Sequence, residues 1–121
     1  MALTADAKEV VLLCVDAINR EDFAAARQFV SNDLQFVGVL GSRNGADAYF
    51  SDMERMRLKY DVKRVFADGN DVCLLYDLAI SGANIFVCAW YQVANGKIRS
   101  LNVVFDPRPI LEAQAKSAKK D

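Results

Sequence analysis

Residues 72–105 read VCLLYDLAISGANIFVCAWYQVANGKIRSLNVVF. Three runs in this stretch, Val72 to Ser81, Ile85 to Val93 and Ile98 to Phe105, are rich in β-branched and aromatic residues. The breaks between them, Gly82-Ala83-Asn84 and Ala94-Asn95-Gly96-Lys97, carry the glycine and asparagine that tight hairpin turns need for positive φ. Connections this short force successive strands to be antiparallel neighbours, so the stretch predicts a meander. One step upstream, Val62 to Ala67 is a fourth β-rich run, joined to the meander by the turn Asp68-Gly69-Asn70-Asp71. Pro107 and Pro109 end the last strand, because proline cannot donate to a ladder.

Farther upstream the period changes. From Ala5 to Asn19, Val11, Cys14, Val15 and Ile18 fall at i, i+3, i+4 and i+7, and Asp16 and Asn19 lie off that stripe, which predicts an amphipathic helix. Glu21-Asp22 offers a capping carboxylate to a second helix that buries Phe23, Ala26, Phe29 and Val30 and stops at Ser31-Asn32-Asp33. Leu34 to Leu40 reads as a strand and Gly41 to Gly45 as a loop. Ala46 to Tyr60 reads as a third helix, with Tyr49, Phe50, Met53, Met56 and Tyr60 at helical spacing. Helices followed by a meander predict an α+β domain, three N-terminal helices packed on one face of a curved antiparallel sheet. Residues 1–109 form that single domain, and 110–121 a polar C-terminal tail that frays.

Composition narrows the function classes. The chain has 121 residues, with 15 Lys+Arg against 16 Asp+Glu, a formal net charge of −1 and no histidine. So even a balance disfavours nucleic acid or an anionic membrane as partner. The lack of histidine removes every Ser-His, Cys-His and His-ligated metal scheme, leaving Asp, Glu, Tyr, Cys, Lys and Arg for proton transfer. There is no GxGxxG, no phosphate-binding loop and no clustered ligand set, so no metal and no cofactor is expected. Cys14, Cys73 and Cys88 are odd in number, lack CxxC spacing and lie in apolar runs, which reads as free, buried thiols. The N-terminus has charges at Asp6, Lys8 and Glu9 before its apolar stretch, and Asp16 breaks that stretch, so no signal peptide or membrane span is read and a reducing cytoplasm is the expected home.

Several short motifs carry a family likeness: Ala17-Ile18-Asn19-Arg20-Glu21-Asp22-Phe23 between the first two helices, Arg43-Asn44-Gly45 before the third, Asn95-Gly96-Lys97-Ile98, and Val104-Phe105-Asp106-Pro107. With them, the stretch from about Lys8 to Pro109 resembles the nuclear-transport-factor-2-like superfamily, which includes ketosteroid isomerases, SnoaL-like polyketide cyclases, limonene epoxide hydrolase and scytalone dehydratase. The resemblance implies a cone-shaped, cystatin-like α+β roll with an apolar pocket between sheet and helices, and a homodimer through the outer sheet face. Carried over by position, the three acid-base groups of the ketosteroid isomerases fall on Cys14, Gly38 and Cys88, none of which can do that chemistry. The cyclase and dehydratase patterns need histidine. The epoxide hydrolase pattern needs an Asp-Arg-Asp set, which is not in register around Arg99.

Strand alternation assigns faces once one residue is fixed. The resemblance places Cys88 inward, and with it Phe86, Trp90 and Gln92, so that Cys14 and Cys88 approach each other across the pocket. The same reading lines a ligand pocket with Cys14 and Ile18 from the first helix, Phe36, Gly38 and Leu40 from the first strand, and Tyr49, Phe50 and Met53 from the third helix. Leu101, Val103 and Phe105 join them from the last strand. Such a lining suits a small apolar ligand; equally, the same side chains can fill the cone as core. A glycine inside a strand, Gly38, either marks a bulge or makes room for something approaching the backbone.

Tyr76 and Asp77 are adjacent and face opposite sides. The alternation of Val72, Leu74, Tyr76, Leu78 and Ile80 puts Tyr76 inward and Asp77 outward, and the other facing makes Asp77 the surviving carboxylate for acid-base work. Asp106 reads as a turn organiser and Asp47 as an answer to the helix dipole, while Arg43 reads first as a solvated loop arginine and only second as a clamp for a ligand carboxylate. Val87, Ala89 and Tyr91 then form an apolar outward row that favours a dimer. The function expected is a pocket for a small hydrophobic ligand. An acid-base lyase, isomerase or hydrolase, and a filled dimerisation module, are the alternatives.

Overall fold

The computed structural model describes residues 6–80 and 82–119. Its elements are α1 (Ala7–Asn19), α2 (Phe23–Arg27), β1 (Val30–Val37), β2 (Ser42–Asn44), α3 (Ala46–Met56), β3 (Lys59–Asp68), β4 (Asp71–Ile80), β5 (Ala83–Ala94), β6 (Lys97–Phe105) and α4 (Arg108–Lys119). The strands form one sheet in the order β2-β1-β6-β5-β4-β3. All neighbours are antiparallel except β1 and β6, which run parallel. Register shifts at Val62/Arg64, Gln92/Val93 and Val30/Gln35 insert extra residues, and such bulges bend and twist a sheet into the unclosed curve that holds the helices in its hollow. No helix among the described residues is long and apolar enough to cross a membrane.

Local chemistry sets the boundaries. Asp6 and Asp22 cap α1 and α2, accepting from the backbone N–H of Glu9 at 2.8 Å and Ala25 at 3.1 Å. α2 is shorter than expected: it ends at Arg27, and Val30 to Asp33 belong to β1, where Val30 and Leu34 are buried. The expected loop before the third helix contains β2, which pairs with β1. α3 stops at Met56 and not at Tyr60, because Arg57 turns left-handed with φ 50°. Tyr60 then enters β3, where the carboxamide of Asn19 replaces a strand neighbour. Asn19 Nδ2 donates to the Tyr60 carbonyl at 2.9 Å, and Tyr60 N–H donates to Asn19 Oδ1 at 2.8 Å.

Two larger corrections concern the tail and the faces. Residues 108–119, expected to fray in large part, form α4. Pro109-Ile110-Leu111 gives it an apolar edge, and Ile110 is buried to 2% exposure. On β5 the buried residues are Ile85, Val87, Ala89, Tyr91 and Val93, whereas Phe86, Cys88, Trp90 and Gln92 are exposed on the convex side. The reason is register. Tyr76, Leu74 and Leu78 of β4 face inward and pair directly with Val87, Ala89 and Ile85, and directly opposed residues share a face. Cys14 and Cys88 therefore lie on opposite sides of the sheet. The expected outward row Val87, Ala89, Tyr91 is core.

Candidate functional site

A cavity of about 170 Å³ opens between the concave sheet face and the helices. The end of β1 and its loop contribute Phe36, Gly38, Val39 and Leu40, and α3 contributes Tyr49, Met53 and Met56. Tyr60, Tyr76 and Leu78 come from β3 and β4, Ile85 from β5, Leu101, Val103 and Phe105 from β6, and Ile110 from α4. No charged side chain is among these described lining residues. Their arrangement is local in origin: α3 projects Tyr49, Met53 and Met56 along one stripe, and β4 projects Tyr76 and Leu78 by alternation.

The polar content of the cavity is phenolic. The Tyr60 and Tyr76 rings lie tilted with centroids 4.8 Å apart, Phe36 and Tyr49 lie 5.4 Å apart, and Tyr60 Oη reaches Met53 Sδ at 3.8 Å. Burial raises the pKa of Tyr49, Tyr60 and Tyr76 above the usual phenol value, so at neutral pH each keeps its proton. A protonated phenol can donate a hydrogen bond to a carbonyl or ether oxygen. Donation by neutral phenols inside an apolar wall is the chemistry this site offers.

Of the residues read from the sequence as ligand-binding, Phe36, Gly38, Leu40, Tyr49, Met53, Leu101, Val103 and Phe105 line the cavity, and Tyr76 does so as its alternation indicated. Cys14 and Ile18 do not. They sit beside it, in a packed seam with Tyr91 and Leu101 that leaves only about 10 Å³, and burial pushes the Cys14 thiol up to about 12. Phe50 is buried elsewhere in the core. Phe86, Cys88, Trp90 and Gln92 are on the convex face for the register reason given above. Gly38 is not inside a strand: it opens the β1–β2 hairpin, donating to the Gly41 carbonyl at 2.8 Å. A Cβ there would meet the Phe36 ring at 3.1 Å, so what approaches this backbone is the chain's own aromatic ring.

The charged candidates are committed elsewhere. Asp77 faces outward and lies 3.6 Å from Lys63. Arg43 Nε is bound to Asp52 Oδ2 at 2.8 Å, and Asp47 is almost fully exposed near Arg27. Asp106 accepts from the Arg108 N–H at 3.0 Å and organises the turn into α4, as its place before proline indicated. Sequence reasoning missed Tyr60 and Met56 as cavity residues in distinct strands and helix, and it missed Ile110. The signal for Ile110 was present as an apolar pair following two prolines.

The curved sheet, the helices in its hollow and the apolar cavity between them define the nuclear-transport-factor-2-like class of fold. Residues 11–101 match the model of the SnoaL-like domain, so the chain belongs to the SnoaL-like family. An NTF2-like protein of unknown function from Cytophaga hutchinsonii is 40% identical, covers 92% of this chain and 99% of its own, and superposes with a TM-score of 0.88. Two more distant structures share the fold. An LEH-like epoxide hydrolase from M. tuberculosis is 24% identical over 93% of this chain and 92% of its own, with a TM-score of 0.74. A ketosteroid isomerase assigned only provisionally, from Kribbella flavida, is 14% identical over 87% and 82%, with a TM-score of 0.77. No curated protein sequence matches the chain.

Proposed function

We propose that the chain binds a small, uncharged, largely apolar molecule carrying one hydrogen-bond acceptor. The observation that carries this reading is the cavity itself, about 170 Å³ walled by hydrocarbon and aromatic side chains, with the tyrosines Tyr49, Tyr60 and Tyr76 among them. A dry cavity of about 150 Å³ accommodates a benzene-sized ring, so one substituted ring fits and a four-ring skeleton does not. An acid-base isomerase, lyase or hydrolase needs a basic group touching its substrate, and the described lining residues include no carboxylate, amine or thiol. Binding is therefore the better supported reading.

A thermal-shift series separates the classes. A monocyclic ketone at about 100 times its dissociation constant adds about 2.7 kcal/mol, a rise in midpoint of about 8–12 °C for a domain of this size. Val103→Phe, which fills the cavity wall, abolishes the rise. Equal shifts from monocyclic carboxylates, or a shift that survives Val103→Phe, would overturn the proposal.

The convex face supports a second element of this reading, a homodimer. Phe66, Phe86, Trp90 and Val104 are 58%, 58%, 46% and 64% exposed on one sheet surface, and large apolar side chains grouped on one exposed face favour coverage by another surface. Three unpaired thiols fit a reducing compartment such as the cytoplasm.

A further inference from the structure

Cys73 on β4 and Cys88 on β5 share the convex face, with their sulfurs 3.6 Å apart. They sit at the middle of its apolar patch. Phe66 and Trp90 oppose Cys73 on either side, and Leu75 and Val104 oppose Cys88. The two are diagonal partners, since Cys73 pairs with Trp90 and Cys88 with Leu75. Diagonal positions on an antiparallel pair lie about 7–8 Å apart, at or past the roughly 4.4–6.8 Å between Cα atoms that a disulfide spans. Closing the sulfurs to about 2.05 Å would require β4 and β5 to move, and both are held by a continuous ladder.

An atom placed between the sulfurs needs no such movement. Two thiolates each about 2.3 Å from a tetrahedral ion stand about 3.8 Å from one another, close to the spacing found here. We propose that Cys73 and Cys88 form a bidentate dithiolate site for a thiophilic divalent cation of the Zn²⁺ or Cd²⁺ type. No third Cys, Asp or Glu among the described residues completes a cluster with them, so the remaining positions fall to water or to a second chain. Each thiol gives up its proton as its sulfur binds: one M²⁺ and two S–H groups yield two M–S bonds and two protons in solution, with no change of oxidation state. Burial and the neighbouring Cys88 raise the Cys73 thiol above its ordinary value, and because each bound sulfur gives up a proton, binding strengthens as pH rises. The site lies on the face opposite the cavity and does not depend on ligand binding there.

The test is a Cd²⁺ titration of the fully reduced protein, read by thiolate-to-cadmium charge-transfer absorption and by proton release. The expected result is one Cd²⁺ per chain, or one per two chains where convex faces pair, with about two protons released for each Cys pair engaged. Cys73→Ser and Cys88→Ser each weaken binding at least about tenfold, and Cys14→Ser leaves it unchanged. All three variants are checked for an unaltered thermal midpoint, and Cys73→Ala and Cys88→Ala serve where serine lowers it. Single-cysteine variants that keep the parent affinity, or two Cd²⁺ per chain with one proton each, would show independent monothiols and overturn the proposal.

Discussion

The two faces of the sheet are both apolar, yet they differ in what the apolar residues do. On the concave face of β5, Ile85, Val87, Ala89 and Tyr91 pack into the core beneath the helices. On the convex face, Phe86, Cys88 and Trp90 alternate with them and reach solvent in the single chain. A strand with one wet face normally alternates apolar with polar, and a strand covered on both faces reads as a continuous hydrophobic run. β5 has the second pattern on a sheet whose helices cover one side. On the proposed reading, the concave face encloses a small molecule and the convex face is covered by a second copy of the chain.

Lysine substitutions on neighbouring residues give the largest contrast. Tyr91→Lys places an ammonium in the core at a site only 3% exposed and is expected to cost more than about 4 kcal/mol, a large part of the roughly 5–15 kcal/mol that holds a domain together. The readout is loss of cooperative thermal unfolding. Trp90→Lys, one residue away, leaves the fold intact. If Tyr91→Lys folds normally, the assignment of faces is wrong.

Alkaline titration sharpens the inner half of the comparison. All four tyrosines, Tyr49, Tyr60, Tyr76 and Tyr91, have pKa values raised chiefly by burial. The unfolded chain loses these protons near pH 10 and the folded chain keeps them, so above pH 10 the unfolded state binds fewer protons. Stability is therefore full below that pH and lost as pH rises, by about 1.4 kcal/mol per pH unit for each phenol. Cys14 adds to the loss from about pH 9. Denaturant midpoints measured from pH 8 to 11.5 should fall with a slope that steepens past pH 10; a flat profile would place the phenols in water.

Asn19→Leu has a smaller effect. It removes both hydrogen bonds to the Tyr60 backbone at a cost of about 1–3 kcal/mol. It should also loosen the cavity wall, so ligand affinity falls with stability; a change in neither would deny Asn19 that role. The smallest effect on the chain itself comes from Phe86→Glu on the convex face, within about 0.5 kcal/mol for intrachain stability. Its readout is assembly: sedimentation should shift from dimer to monomer, and an unchanged profile would remove the convex face as the pairing surface.

The meander, the first helix and the inward facing of Tyr76 were legible because period and turn chemistry are local. The face of β5 was not, because both of its rows are apolar and periodicity is silent between them. The family resemblance set Cys88 inward, and the quantity that decides the face is turn length. A three-residue break at 82–84 sets Tyr76 opposite Trp90, whereas the observed ladder closes at Ile80 and Ala83 and sets Tyr76 opposite Val87. An odd change in register moves every side chain to the other face. Tyr60 was misread for a related reason. Its spacing continues that of α3, and only the left-handed Arg57 and the tertiary contact from Asn19 turn the chain into a strand before it.

The most direct test of the division between the faces uses reporters on each. Met53 and Met56 line the cavity, and Trp90, the chain's single tryptophan, donates its indole N–H to Asp71 at 2.9 Å on the convex side. A monocyclic ketone titrated into protein labelled at methionine methyls and at the indole nitrogen, followed by NMR, should move the Met53 and Met56 methyl resonances in a saturable way. The indole resonance should stay in place. Movement of the Trp90 indole with both methyl signals fixed would contradict the account, placing ligand binding on the convex face.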